Sequence, residues 1–249
     1  MDVFILTHLG IDYFNQWFDP KNFDETTKFH IVDNGQQAIP ERLEPLVIHR
    51  TKVNTGCAGG WNISYRIGFE YMKLDKLIMG QDDAIITQEQ LNQMWRHISP
   101  NLVVGLYDGT VKWSVIGMHR DVFMNVGEFD ENCVFGYHED GDYELRMRLN
   151  RRGTARLGYD NRMNCSLTRQ KTPSLANESK ISNAQYMITK WGIDHDYENP
   201  PSHIFSTPFN NPTMSFRERA PIRQRVKEVY GNITEFPSQI EFKRFLEGR

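Results

Sequence analysis

Cysteine is scarce in this chain: Cys57, Cys133 and Cys165 are the three among 249 residues, odd in number, widely spaced and in no Cys-x-x-Cys pair. That usage argues against a disulfide framework and a cysteine-based zinc site, and it fits a reducing, cytoplasmic compartment. Long apolar runs are lacking as well. No stretch approaches the ~18 residues of a membrane span, and the opening VFILTHLG is short and has no basic leader. Without a secretory signal, the sequons at Asn62, Asn164, Asn177 and Asn232 carry no expectation of glycosylation. Charge of one sign is missing too. A net charge of −3 gives no general attraction for nucleic acid or anionic membrane, so any polyanion contact must be local. Internal repeats are absent.

What remains is ordinary for a globular protein, with 39% hydrophobic and 24% charged residues in a length that can bury a substantial core. Over the first hundred residues short apolar runs alternate with amphipathic segments, the pattern of helices covering a largely parallel sheet. Strands are expected at Val3 to His8, Lys28 to Asp33, Leu46 to Arg50 and Lys76 to Met79. Helices are expected at Ile11 to Phe18, at Trp61 to Met72 and, after a Thr87/Gln90 capping box, at Gln88 to His97. Leu102 to Tyr107 and Val111 to Met118 read as further strands joined by an Asp108-Gly109 hairpin turn, which makes the second half of the sheet partly antiparallel. The fold class is therefore α/β with a mixed central sheet flanked by helices.

The densest chemistry lies in GYHEDGDYELRMRLNRRG, from Gly136 to Gly153. Glu139, Asp140, Asp142 and Glu144 precede Arg148, Arg151 and Arg152, the polarity that a helix dipole favours, with Gly153 as a stop. Tyr143, Leu145, Met147 and Leu149 alternate as in a strand, but the charge asymmetry decides for a helix. A carboxylate at a helix start is held ionised by backbone N–H groups, so Asp140 is a candidate base; capping alone is the plainer reading of these acids. In open α/β sheets ligands bind beyond the carboxyl ends of the strands. Those ends are polar here: Thr7-His8, Asp33-Asn34-Gly35, Asn54-Thr55-Gly56 and Gln81-Asp82-Asp83. An adjacent Asp pair at a strand end suits a hard divalent cation that takes its other oxygens from a diphosphate, although a cap or turn accounts for it equally.

In their order and spacing these residues resemble the family 2 glycosyltransferases, nucleotide-sugar-dependent enzymes with the GT-A fold. The resemblance is carried by the Asp-Asn-Gly after the second strand, NTGCAGGWN, KLIMGQDDA, VGEFDE and HEDGDYELRMRLNRRG, and it covers roughly residues 1 to 192, including Lys190-Trp191-Gly192. It implies a catalytic domain over residues 1–193 and a metal-dependent, inverting transfer of a sugar from a nucleoside diphosphate to a hydroxyl of a glycan or other acceptor. A uridine diphosphate sugar is the default donor, and Mn²⁺ or Mg²⁺ the cofactor. By the same resemblance, Asp33 accepts from the nucleobase and Thr7, His8, Asn54, Gly56, Asn62 and Asp82 line the nucleotide-sugar. Asp83, with Asp82, holds the metal; Asp140 is the base, and Glu139 orients sugar or acceptor hydroxyls. Trp113 and His119 fall near the implied acceptor side, where an aromatic face stacks on sugar; for Trp113 a core position is the plainer reading.

One departure stands out. The region where many members place a further metal-binding histidine reads DNRMNCSLT, which leaves Asn164, Cys165, a water, His195 or His203 as stand-ins. A nucleotidyltransferase is the rival enzyme class, disfavoured because THLGIDYF lacks the glycines and basic residues that grip a triphosphate. A silent carbohydrate- or nucleotide-binding module is the non-enzyme alternative. From Asp194 periodicity fades and prolines gather at positions 200, 201, 208, 212 and 221, so residues 194–249 read as an extension wrapping the domain, a lid or acceptor wall. Its run of Arg217, Arg219, Arg223, Arg225 and Lys227 admits a nucleic-acid acceptor but reads more simply as a solvated helix face.

Overall fold

Seven short strands build one sheet in a computed structural model of the chain, which describes residues 1–35, 37–107, 113–158, 170–191, 224–225, 228 and 237–248. They are β1 (Asp2–Thr7), β2 (Lys28–Asp33), β3 (Val47–Arg50), β4 (Lys76–Gln81), β5 (Leu102–Tyr107), β6 (Val115–His119) and β7 (Gly153–Gly158), in the order β3-β2-β1-β4-β6-β5-β7. β1 to β4 run parallel, β6 runs against both its neighbours, and β5 pairs in parallel with β7. The expected mixed sheet is present. The Asp108-Gly109 turn between β5 and β6 lies outside the described residues.

Alternation along each strand divides the core into two layers. Val3 and Ile5 join Ile31, Ile78 and Val104 beneath α1 (Ile11–Trp17) and α3 (Gln88–His97). Phe4 and Leu6 join Val32, Leu77, Met79 and Ile116 beneath α2 (Gly56–Tyr65), α4 (Arg120–Val126) and α5 (Glu139–Leu149). Because both faces are covered, the central strands read as nearly unbroken apolar runs rather than as alternating ones. The Thr87 side chain and Gln90 form the capping box at the start of α3.

Two helices differ from expectation. α2 begins at Gly56 rather than Trp61, and beyond Tyr65 it widens into a π-helical segment, Arg66–Tyr71. Its glycines look like loop in sequence, but a β-carbon at Gly60 would collide with Leu6, so glycine there lets the helix lie close against β1. α5 is a helix, as the charge order demanded, but it ends at Leu149. Arg151 turns the chain through φ 55°, and Gly153 opens β7 rather than closing the helix. α5 shows no apolar stripe because it is buried nearly all round, with Asp142, Glu144 and Arg146 as enclosed as Tyr143, Leu145 and Met147.

Burial of those charges is made possible by α6 (Pro173–Trp191). Lys190 Nζ lies 2.6 Å from both Asp130 Oδ2 and Asp142 Oδ1. The Tyr186 hydroxyl donates to Asp130 Oδ2 at 2.6 Å, Trp191 Nε1 to Asp142 Oδ1 at 2.9 Å and Arg146 Nε to Asp142 Oδ2 at 2.8 Å. Burial by itself would lower the pKa of Lys190, but the charges of Asp130 and Asp142 carry it above the ordinary value. Burial likewise acts to raise Asp142, and Lys190 and Arg146 overcome it and hold it low. Lys190 and Asp142 are therefore both ionised. α7 (Pro237–Glu247), the described helix of the C-terminal extension, packs on α2, with Phe242 in the core and Ser238 hydrogen-bonded to Glu131. The lid or acceptor wall expected over residues 194–249 lies mostly outside the described residues. Of the basic run, Arg225 is described, and it pairs with Glu178 and Glu228.

Replacing Lys190 with Ala strips buried Asp130 of its cation and leaves Asp142 with Arg146 as its cation, so unfolding stability should fall by about 3–5 kcal/mol. Urea denaturation of Lys190→Ala against wild type measures this, and a loss within about 1 kcal/mol, the value of an exposed ion pair, would show that the network is not what holds α6 to α5.

Candidate active site

The chain leaves β1 toward β2 and β3 on one side and returns to place β4 on the other, so β1 and β4 flank a topological switch point. A crevice forms beyond the carboxyl ends of strands at such a point. Thr7 and His8 arrive from β1, Asp33 and Asn34 from β2, and Gln81, Asp82 and Asp83 from β4. Sequence reasoning had grouped these residues by order alone, and the sheet brings them to one edge.

Asp82 builds this edge. Its Oδ2 accepts from Thr7 Oγ1 at 2.6 Å, His8 N at 2.9 Å and Gly10 N at 3.0 Å, which ties the loop after β1 to the end of β4. Gly10 is required there, since a β-carbon would collide with the Asp82 carboxylate. Burial pushes Asp82 up to about 6 despite those three donors.

Asn34, which was passed over as a site residue, organises the adjacent loop. Its Oδ1 accepts from Thr55 N at 2.9 Å and Thr55 Oγ1 at 2.8 Å, and its Nδ2 donates to Gly56 O at 2.9 Å and Asn54 Oδ1 at 3.2 Å. Asn54 Oδ1 also accepts from Gly56 N at 2.8 Å. The His8 ring spans this cluster, with Nδ1 at 2.9 Å from Asn34 O and Nε2 at 3.2 Å from Asn54 Nδ2. A carbonyl accepts and an amide NH₂ donates, so the ring is neutral with its proton on Nδ1. Burial agrees, pushing His8 down to about 4. The signal for Asn34 was its place in the Asp-Asn-Gly triplet, where an amide can donate and accept at once.

Asp33 is fully buried; its Oδ1 accepts from Gln37 Nε2 at 3.2 Å and its Oδ2 faces Arg50 NH1 at 3.5 Å. Gln37 Nε2 also donates to Thr7 Oγ1 at 3.0 Å, joining the two strand ends.

A second acidic group enters from α5. Phe135, Tyr137 and His138 adopt left-handed conformations, φ 69°, 74° and 71°, and so turn the chain into the helix. Each such non-glycine residue costs roughly 1–3 kcal/mol, so the surroundings must impose the shape. On one side the start of α2 does so: Cys57 N donates to Phe135 O at 2.7 Å, and Gly56, φ 76°, leaves no room for a β-carbon against the Phe135 backbone. The Cys57 side chain lies between the two acidic groups: Gln81 Nε2, beside Asp82, donates to its Sγ at 3.7 Å, and the charges of Glu139 and Asp140 act on the thiol. Burial, then the charges of Glu139 and Asp140, hold that thiol protonated. Burial and the Asp140 charge push Glu139 up to about 8, so one carboxyl of the adjacent pair keeps a proton at neutral pH. Glu139 Oε2 is buried and has no hydrogen-bond partner among the described residues. Asp140 is half-buried, and its Oδ1 accepts from Gly141 N at 2.8 Å.

Three expected site residues lie elsewhere. Asn62 clamps the 127–131 turn: its Nδ2 donates to Phe129 O and Glu131 Oε1 at 3.0 Å each, and its Oδ1 accepts from Phe129 N at 2.8 Å. With both ends engaged, it acts on the protein rather than on a ligand. Trp113 packs edge-on against Phe129 and Tyr143 in the core. His119 pairs across the sheet with Lys76, at the start of β4 and so at the opposite edge from Asp82, and its Nδ1 accepts from Asp121 N to cap α4. The antiparallel course of β6 carries it away.

Among the described residues, no group of three or more histidine, cysteine or carboxylate side chains is placed to hold a metal ion. Asn164, Cys165, His195 and His203 lie outside them. The donor set at hand is the Asp82-Asp83 pair, hard oxygen ligands of the kind that Mg²⁺ or Mn²⁺ supplements with diphosphate oxygens and water.

No protein-family model matches the chain, and no curated protein sequence matches it. Comparison with solved structures gives partial matches at low identity. Residues 1–349 of TarS from S. aureus align with 65% of this chain and 59% of that one at 12% identity and a TM-score of 0.44. A protein from Desulfovibrio desulfuricans G20 assigned as a nucleotide-diphospho-sugar transferase aligns over 76% of this chain and 97% of its own, at 12% identity and a TM-score of 0.45. The glycosyltransferase GlyE of Streptococcus pneumoniae TIGR4 aligns with 99% of this chain and 63% of its own, at 11% identity and a TM-score of 0.41. The chain thus matches less than two thirds of the TarS fragment and of GlyE. Among the described residues, no helix is long and apolar enough to cross a membrane.

Glu139→Gln tests the protonation of the acidic pair through stability. Between about 4.5, the ordinary value, and about 8, the folded chain holds a proton that the unfolded chain has released, so rising pH across that window removes stability. Gln cannot ionise, and the variant should gain on the wild type as pH rises from 5 to 8. Parallel stability curves for the two proteins would place the Glu139 carboxyl in water-like surroundings.

Proposed function

We propose that this chain is a metal-dependent, inverting glycosyltransferase that moves a sugar from a nucleoside diphosphate, by default uridine diphosphate, to a hydroxyl of a glycan or other acceptor. The observation that carries this reading is the approach of two acidic groups at one sheet edge: Asp33, Asp82 and Asp83 at the strand ends, and Glu139-Asp140 at the start of α5, with Cys57 between them, accepting from Gln81 Nε2 beside Asp82 and feeling the charges of Glu139 and Asp140. The chemistry asks for this division, since a leaving diphosphate and an incoming hydroxyl make opposite demands.

In this reading Asp33 accepts from the imide of the base, at the buried end of β2. The loop from Asn54, held by Asn34, brings backbone amides beneath the nucleotide, and neutral His8 adds no charge to the diphosphate site. Asp83, supported by Asp82, would hold Mn²⁺ or Mg²⁺, which when bound offsets the charge of the departing diphosphate. Asp140 takes the proton of the acceptor hydroxyl as its oxygen attacks the anomeric carbon from the face opposite the leaving group. Glu139, protonated beside it, leaves the negative charge of the pair on Asp140 and has a proton to donate to a sugar oxygen.

Incubation with a panel of sugar nucleotides and Mn²⁺, followed by measurement of released nucleoside diphosphate, tests the reading directly. Turnover should disappear with Asp83→Asn and in excess EDTA; full activity in EDTA would overturn the metal requirement. Asp140→Asn should leave nucleotide affinity nearly unchanged by calorimetry and slow transfer by on the order of 10²-fold to 10⁴-fold, the usual contribution of a general base. Lost donor binding with unchanged saturated turnover, or a product of retained configuration, would remove Asp140 from that role.

A further inference from the structure

The turn that delivers Glu139 and Asp140 is held on its second side by residues no motif includes. Ser179 and Asn183, one helical turn apart on α6, are fully buried. Asn183 Nδ2 lies 2.7 Å from Gly136 O, 3.0 Å from Tyr137 O and 3.1 Å from Val134 O. Ser179 Oγ reaches Val134 O at 2.5 Å and Gly136 O at 3.0 Å. Three carbonyls of one five-residue turn therefore converge on two adjacent donors. In this run, where Phe135, Tyr137 and His138 are all left-handed, the carbonyls of Val134, Gly136 and Tyr137 face α6, and carbonyls shielded from water need donors. An amide NH₂ beside a hydroxyl supplies three hydrogens at that point.

We propose that Asn183, with Ser179, is a positioning residue for the reaction: it holds the left-handed turn from Val134 to His138 and thereby sets where Asp140 meets the acceptor. This rests on the glycosyltransferase reading for its catalytic consequence, but not for its structural one. The opposite side of the turn is fixed by Gly56 and Cys57, which Asn34 holds in turn, so the turn lies between the nucleotide loop and α6. Releasing the α6 side leaves the donor side in place. The expected signature is a fault in transfer and not in nucleotide binding.

Asn183→Asp is the sharpest test, because it keeps the volume and replaces the donor with a group that repels the three carbonyls. It should lower kcat for transfer by about 10- to 100-fold, the scale of a misplaced catalytic group, with the Kd for nucleoside diphosphate and the KM for the donor within about twofold. Ser179→Ala, a milder change, should show the same split at smaller size. Hydrogen–deuterium exchange on the same proteins reads the turn directly: amides of residues 135–141 should lose protection while those of β1, β4 and α2 keep theirs. Unchanged exchange across 135–141 in both variants would overturn the proposal, as would equal losses in donor affinity and in kcat. If the wild-type chain turned over no sugar nucleotide, the functional reading would fall, while selective exchange in 135–141 would still bear out the hold of Asn183 on the turn.

Discussion

The shared ion pair of Lys190 with Asp130 and Asp142 is the constraint on which the rest of the structure depends. A lysine with no access to water must have its charge matched, and here one ammonium meets two carboxylates from different segments, the turn after α4 and the first turn of α5. The arrangement leaves little freedom. Asp142 also receives Arg146 and Trp191, and Arg146 donates onward to Val126 O and Glu128 O, so one polar knot ties α6, α5 and the 126–131 turn. Asn62 grips that same turn from α2, and Glu131 reaches Ser238 at the start of α7. Four helices are thus registered against one another by directional bonds, where apolar packing alone would tolerate sliding.

Negative charge is divided between construction and chemistry. Asp130, Asp142 and Glu131 are spent on lysine, arginine, tyrosine and serine partners within the fold, and Asp82 on three donors from the loop after β1. Adjacent residues take different parts: Asp82 braces the strand end beside Asp83, and Glu139 shares a proton-linked site with Asp140. A cluster of acids in sequence is therefore a poor guide to how many of them face a ligand.

Much of the frame was legible. The alternation of apolar runs and amphipathic segments announced the parallel half of the sheet, because burial on both faces leaves a local mark, and β6 does run against β5 and β4 as expected of the second half. The polar strand ends were legible too, since Asp-Asn and Asp-Asp stand out after an apolar strand, although the same residues also serve turns, as Asp82 does for the loop after β1. The start of α2 was not, because glycines that permit close packing look the same as glycines that permit a loop. Asn62 and His119 were misplaced by reasoning along the chain: Asn62 acts on a turn 67 residues away, and His119 is carried to the far edge by strand direction, while Trp113 takes the core position that its alternating strand allowed. The role of Asn183 left no local mark at all, since its partners are backbone carbonyls, which every sequence possesses.

The single reversed strand also shapes how this molecule can change. β5 ends and β6 begins at the edge where β1, β2 and β4 end, so the connection between Tyr107 and Val115 departs and returns beside the acidic groups. The strands it joins are held by their own ladders, β6 against β4 and β5 against β7. A change of length or composition in that connection therefore need not move Asp33, Asp82 or Asp83, so the surroundings of these acids can alter while the sheet that fixes them is kept.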